Sequence, residues 1–123
     1  MAQPADLMAV GMDFGSALLI GFSVQSVTAT GTVVGTAAPI NDTTGVALVN
    51  AQSAQTGVQF SVNTSIASPI FVFGTGAVAP VIYVPAGHTV NNGASHLTLS
   101  AAITGVIFIR VSKTQWYTVP LAP

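Results

Sequence analysis

One stretch limits what this chain can fold into more than any other: Gly105 to Val119, GVIFIRVSKTQWYTV. Val106, Ile107, Phe108, Ile109 and Val111 form an apolar run interrupted only by Arg110. β-Branched and aromatic residues dominate it, and such residues favour a pleated, packed backbone. Ser112, Lys113 and Thr114 supply the turn, and Gln115 to Val119 reads as a returning strand that carries Trp116 and Tyr117. The segment is therefore expected to be a β-hairpin with a three-residue connection, the pair on which the other strands assemble.

The remainder of the chain also reads as short extended runs. Val24 to Thr36 is rich in Val and Thr, and Gly31 and Gly35 break it. Val46–Asn50, Pro69–Phe73 and Val81–Val84 are further strand candidates. Val58, Phe60 and Val62 alternate with polar residues, as do Leu97 and Leu99, so each of these strands should bury one face. Pro39–Gly45, Gly74–Pro80, Pro85–Gly87 and Asn91–Gly93 are turn or loop signals, the last because Asn and Gly tolerate positive φ. About eight strands at such spacing suit an antiparallel β-sandwich, jelly roll or small barrel. No internal sequence repeat and no linker is visible, so one structural domain is expected.

Residues 1–22 read differently. Pro4 suits a first helical turn, Ala5, Leu7, Met8 and Ala9 favour helix, and Gly11 is a stop. A second short turn is expected from Asp13 to Gly21. Pieces this short need something to dock on. The segment is thus either a lid over the sheet or an arm to a neighbouring subunit, followed by a β domain over 23–123. Its apolar part, Leu7 to Val24, has Asp13 at its middle, which speaks against a membrane-spanning helix. No secretory signal is read, because no basic region precedes that stretch.

Charge narrows the function. Only 4% of the 123 residues are charged, against about 25% in ordinary soluble proteins. They are Asp6, Asp13, Asp42, Arg110 and Lys113. A surface of Thr, Ser, Asn, Gln and Gly has few charges to desolvate and suits burial against other subunits, although hydroxyls and amides also keep a neutral β-protein in solution. Two basic residues cannot neutralise a run of phosphates, so nucleic acid is not an expected partner. Without Cys there is no thiol nucleophile or disulfide. No phosphate loop, nucleophile elbow or zinc motif is present. His88 and His96 flank the Asn91–Gly93 turn and would approach each other if their strands paired, but two His make a poor metal site. No enzyme activity, cofactor or metal is expected. Arg110 within an apolar strand faces either outward to solvent or toward a partner that it must pair with. Trp116 reads as core or as an interface anchor.

Several segments in serial order resemble a group of small virion proteins of tailed bacteriophages. They are QPADLMAVGM, SVTATGTVVGTAAPI, TGVQFSV, IFVFGTGAVAPVIYVPAGHTVNNGA and IFIRVSKTQWYTV, which together cover most of the chain. The chain departs from the usual pattern at IFVFGTG, where relatives often carry an Asn-containing segment. The resemblance implies a capsid cement or decoration protein with a jelly-roll-like or sandwich fold. Such a protein would be made in the host bacterial cytoplasm and sit on the outer capsid surface as a dimer or trimer. It would bridge subunits of the major capsid protein, with no membrane partner. Candidate contacts are Leu7, Met8, Phe14, Leu18, Leu19 and Phe22 of the arm, Arg110, and the loops Ala51–Thr56 and Val90–Ser95. The competing expectations are a tail, neck or fibre component, and a carbohydrate-binding module presenting Trp116 and Tyr117 on one exposed face.

Overall fold

The computed structural model describes residues 23–121, and the expected N-terminal arm lies outside them. Ten strands and no helix occur among the described residues: β1 (Val24–Thr28), β2 (Ala38–Pro39), β3 (Val46–Asn50), β4 (Gly57–Gln59), β5 (Ile70–Gly74), β6 (Val81–Tyr83), β7 (Thr89–Val90), β8 (His96–Thr98), β9 (Gly105–Arg110) and β10 (Gln115–Pro120). The mainly β expectation is met. The strands form two sheets, one six-stranded in the order β1-β3-β5-β9-β10-β7 and one four-stranded in the order β2-β4-β6-β8.

The expected antiparallel arrangement is corrected by the pairing. The first six strands alternate between the sheets, so each returns beside the strand two before it and runs parallel to it. Val24 pairs with Val46, and Val46 with Phe71, steps of 22 and 25 residues. In the other sheet Ala38 pairs with Val58 and Val58 with Ile82, steps of 20 and 24 residues. This is solenoid-like stacking, in which each coil rests on its neighbour. The coils repeat in space but not in sequence, because the inward positions share only small or apolar character: Ala47 lies beside Val72, and Val49 beside Gly74. Between the named strands, antiparallel pairing enters where β9 joins β5 and β10 and where β8 joins β6.

The core lies between the two sheets. Ile40, Val49, Val58, Val72, Ile82, Val84, Val90, Phe108 and Trp116 are fully or almost fully buried in one cluster. Alternation along β9 sends Val106, Phe108 and Arg110 inward and Ile107 and Ile109 outward. Close coil stacking requires glycine at Gly57, where a Cβ would overlap the Val81 carbonyl and the Tyr83 ring. The expected hairpin is present, with Trp116 opposite Arg110 and Val119 opposite Ile107. The named strands end at Arg110 and Gln115, and Val111 N–H still donates to the Gln115 carbonyl at 2.9 Å, which leaves the expected three residues Ser112–Thr114 as the turn. The strand expected to alternate through Val62 stops earlier. Val58 and Phe60 are buried but Val62 is 58% exposed, because the chain turns at Ser61–Thr64.

Candidate functional site

The polar centre of the interior is built around Arg110. Its position on β9 places the guanidinium at the end of the core, where it is 7% exposed. Nη1 donates to the carbonyls of Val62 (2.8 Å) and Thr64 (2.7 Å), Nε to that of Ser112 (3.3 Å), and Nη2 to that of Lys113. A buried charge must be satisfied, and here four backbone carbonyls do it. This corrects the outward-facing expectation. Four of its five N–H donors are engaged within its own chain. It fastens the 61–64 turn and the hairpin connection to β9.

Trp116 completes this centre. It is fully buried. Its ring stacks on Phe60 at 4.8 Å with an interplanar angle of 14°, and Phe60 in turn meets Phe108 at 5.0 Å. Trp116 Nε1 donates to His88 Nδ1 at 3.1 Å. Accepting that bond requires an unprotonated Nδ1, so the neutral His88 carries its proton on Nε2. Burial, and then the positive charge of Arg110, hold the His88 pKa below its ordinary value. The neutral imidazole is therefore the form that fits. His88 and His96 do not converge. His88 turns to Trp116, whereas His96 is exposed, stands 5.4 Å from the Tyr83 ring, and lies 3.1 Å from Ser95 Oγ. Among the described residues no group of three His, Cys, Asp or Glu could hold a metal ion.

Trp116 and Tyr117 are sequence neighbours on a strand and so point to opposite faces. Tyr117 is outward and donates from its hydroxyl to Asn92 Oδ1 at 2.6 Å. Asn91 donates to Thr118 Oγ1 at 2.8 Å and accepts from the Thr118 amide at 3.1 Å. The Asn91–Gly93 turn, with φ of 52° at Asn91 and 69° at Asn92, is thus pinned to β10 while remaining exposed. A carbohydrate platform built from Trp116 and Tyr117 together is ruled out by this geometry.

The outer face of the six-stranded sheet carries a continuous apolar row. One row crosses five strands in register, Val24–Val46–Phe71–Ile107–Val119. Leu48 and Phe73 pair beside it, and Ile109 pairs with Tyr117 on its other flank. No charged side chain lies on these rows, a pattern that the sequence reading missed. The alternation was legible strand by strand, but both faces of β5 and β9 are apolar, and nothing local says which one is inside. The loop Gln52–Gln55 is exposed, as are Asp42 and Lys113. A cleft of about 250 Å³ lies at the open end between the sheets, lined by Leu97, Leu99, Val106, Pro120 and Leu121. It is smaller than the roughly 300–1,000 Å³ of an ordinary ligand pocket. The candidate contacts Leu7, Met8, Phe14, Leu18, Leu19 and Phe22 lie outside the described residues.

No family model, curated protein or solved structure matches this chain.

Proposed function

We propose that this chain is a structural protein of a tailed-bacteriophage virion, a cement or decoration protein that binds the outer shell and bridges major capsid protein subunits. The observation that carries this reading is the nearly chargeless exterior. Among the described residues only Asp42 and Lys113 present exposed charge, so packing against a protein shell desolvates little. The serial resemblance to small virion proteins points the same way. In this reading the two-layer β domain takes the part that a sandwich or jelly roll plays in such proteins, and the copies associate as dimers or trimers.

The mechanism is mechanical. Each copy contributes a contact of standard size, about 1,600 Å². Repetition around the shell makes modest site affinities act together. A bridge across a capsomer junction resists outward pressure because separation must break contacts on both sides. The exposed loops 52–55 and 91–95 are the described parts best placed for such contact, since they project from the sheets without carrying the core.

Imaging of particles that contain the protein tests the proposal. Density for this fold on the outer shell, in proportion to the shell protein, supports it. Density confined to a tail, neck or fibre would move the protein to another structural role in the virion, and absence from particles would overturn the reading.

A further inference from the structure

We propose that Asn92 is a self-modification site, at which the chain converts its own carboxamide to a carboxylate through attack by the Gly93 backbone nitrogen. Asn92 and Gly93 form the one Asn–Gly pair among the five asparagines of the chain. The carboxamide carbon and the Gly93 nitrogen can close a five-membered ring, so no second molecule has to bring them together. At Asn41, Asn50, Asn63 and Asn91 the following residue carries a side chain that crowds the nitrogen, and glycine carries none. A Cβ placed at Gly93 would meet nothing within 4 Å, so the space around it is open. Asn92 and Gly93 are both exposed. No hydrogen bond among the described residues occupies the Gly93 N–H.

The fold adds a second component. The Tyr117 hydroxyl donates to Asn92 Oδ1 at 2.6 Å. Negative charge develops on that oxygen when the nitrogen adds to the carboxamide carbon. A donor already in place stabilises the developing charge more than it stabilises the neutral carbonyl. Tyr117 is fixed in β10 opposite Ile109. The turn is fixed to the same strand through Asn91, whose N–H donates to the Trp116 carbonyl at 2.9 Å and whose side chain bonds Thr118. The hydroxyl is thus held against the carboxamide by contacts on either side of it.

The steps balance with water and hydroxide alone. Hydroxide takes the Gly93 N–H proton, the nitrogen bonds to Asn92 Cγ, and the Cγ–Nδ2 bond breaks. Nδ2 takes a proton from water and leaves as ammonia. Water then opens the cyclic imide. Opening at the side-chain carbonyl leaves aspartate at position 92, and opening at the main-chain carbonyl leaves isoaspartate, with one extra atom in the backbone. Isoaspartate lengthens a turn that Val90 and Ala94 close through reciprocal bonds of 2.8 and 3.2 Å, and so loosens it. Either product adds a carboxylate to a chain of net charge −1. Where the loop 91–95 packs on a shell, that charge has to be desolvated and attachment weakens. This consequence rests on the virion reading, whereas the chemistry does not.

The test is to incubate the full chain in mildly alkaline buffer and map its peptides by mass spectrometry. Asn92 should react before any of the other asparagines and give both aspartate and isoaspartate. Tyr117→Phe, with the near-ultraviolet signal of Trp116 unchanged, should slow the reaction at Asn92 by about two- to tenfold, the worth of one hydrogen bond. In concentrated urea the two chains should react at the same rate. Should Tyr117→Phe lose the Trp116 signal, Tyr117→Leu serves for the same comparison. An Asn92 that stays intact, or that reacts later than another asparagine, would overturn the proposal. So would a rate in Tyr117→Phe equal to or above that of the wild type, or a difference that persists in urea. None of these outcomes touches the virion reading, since no particle enters the measurement.

Discussion

Trp116 lies directly across the hairpin from Arg110, with the guanidinium carbon 5.9 Å from the centre of the indole ring. The pair joins two kinds of cohesion. Trp116 packs the apolar core through Phe60, and Arg110 gathers the carbonyls of two loops at the edge of that core. A cation over an aromatic face adds a favourable term of about 0.5–2 kcal/mol, depending on desolvation.

Arg110→Met should lower stability by about 2–4 kcal/mol, because it leaves carbonyls without donors in a largely buried place. Arg110→Lys should recover only part of the loss, since an ammonium cannot span the fork that reaches Val62, Thr64, Ser112 and Lys113. Urea unfolding followed by Trp116 fluorescence measures both. Wild-type stability in Arg110→Met would contradict the assigned role.

His88 should make the fold sensitive to mild acid. Its pKa in the folded state lies below the ordinary 6.5, so the folded state binds the proton less readily than the unfolded chain. The stability linked to His88 is full above pH 6.5 and is lost as the pH falls through the folded value. His88→Gln keeps an acceptor for Trp116 Nε1 but does not titrate. The urea midpoint of the wild type should fall between about pH 7 and pH 5, and the variant should show a smaller fall across the same range.

The two neighbours at 116 and 117 should behave oppositely. Trp116→Ala opens the core and should cost about 3–5 kcal/mol. Tyr117→Ala removes an exposed ring and its hydrogen bond to Asn92, and should cost less than about 1.5 kcal/mol. Thermal unfolding of the two variants gives the comparison, and similar losses would contradict the opposed faces.

Gly57→Ala should destabilise by about 1–3 kcal/mol through overpacking. The added methyl meets the Val81 carbonyl and the Tyr83 ring, and the carbonyl belongs to backbone that cannot swing aside. Gly87→Ala is not a suitable control despite its open surroundings, because φ there is +84°. Gly35→Ala is, since nothing lies near its Cβ position, and it should be nearly neutral. Denaturant midpoints for the two alanine variants test this.

The hairpin was legible in the sequence because its strands and its turn are contiguous. Val46–Asn50 was legible for the same local reason, whereas the two-residue strand Thr89–Val90 was not read as one. Parallel stacking was not. Partners such as Val46 and Phe71 stand 25 residues apart and share no motif, only apolar character. The location of Arg110 was half legible. It shares strand parity with Val106 and Phe108, but Ile107 and Ile109 make the opposite face look equally buried. Its partners are backbone carbonyls, which leave no mark in a sequence. The short strand β2, Ala38–Pro39, was hidden because Pro39 reads as the start of a loop.

The most direct measurement of the central claim is to add purified protein to phage heads that lack it and record bound copies and resistance to heat. The account predicts saturable binding, in fixed proportion to the shell protein, with heads that keep their DNA to a higher temperature. Heads that bind no protein, or bind it only at the tail vertex with no gain in heat resistance, would contradict it.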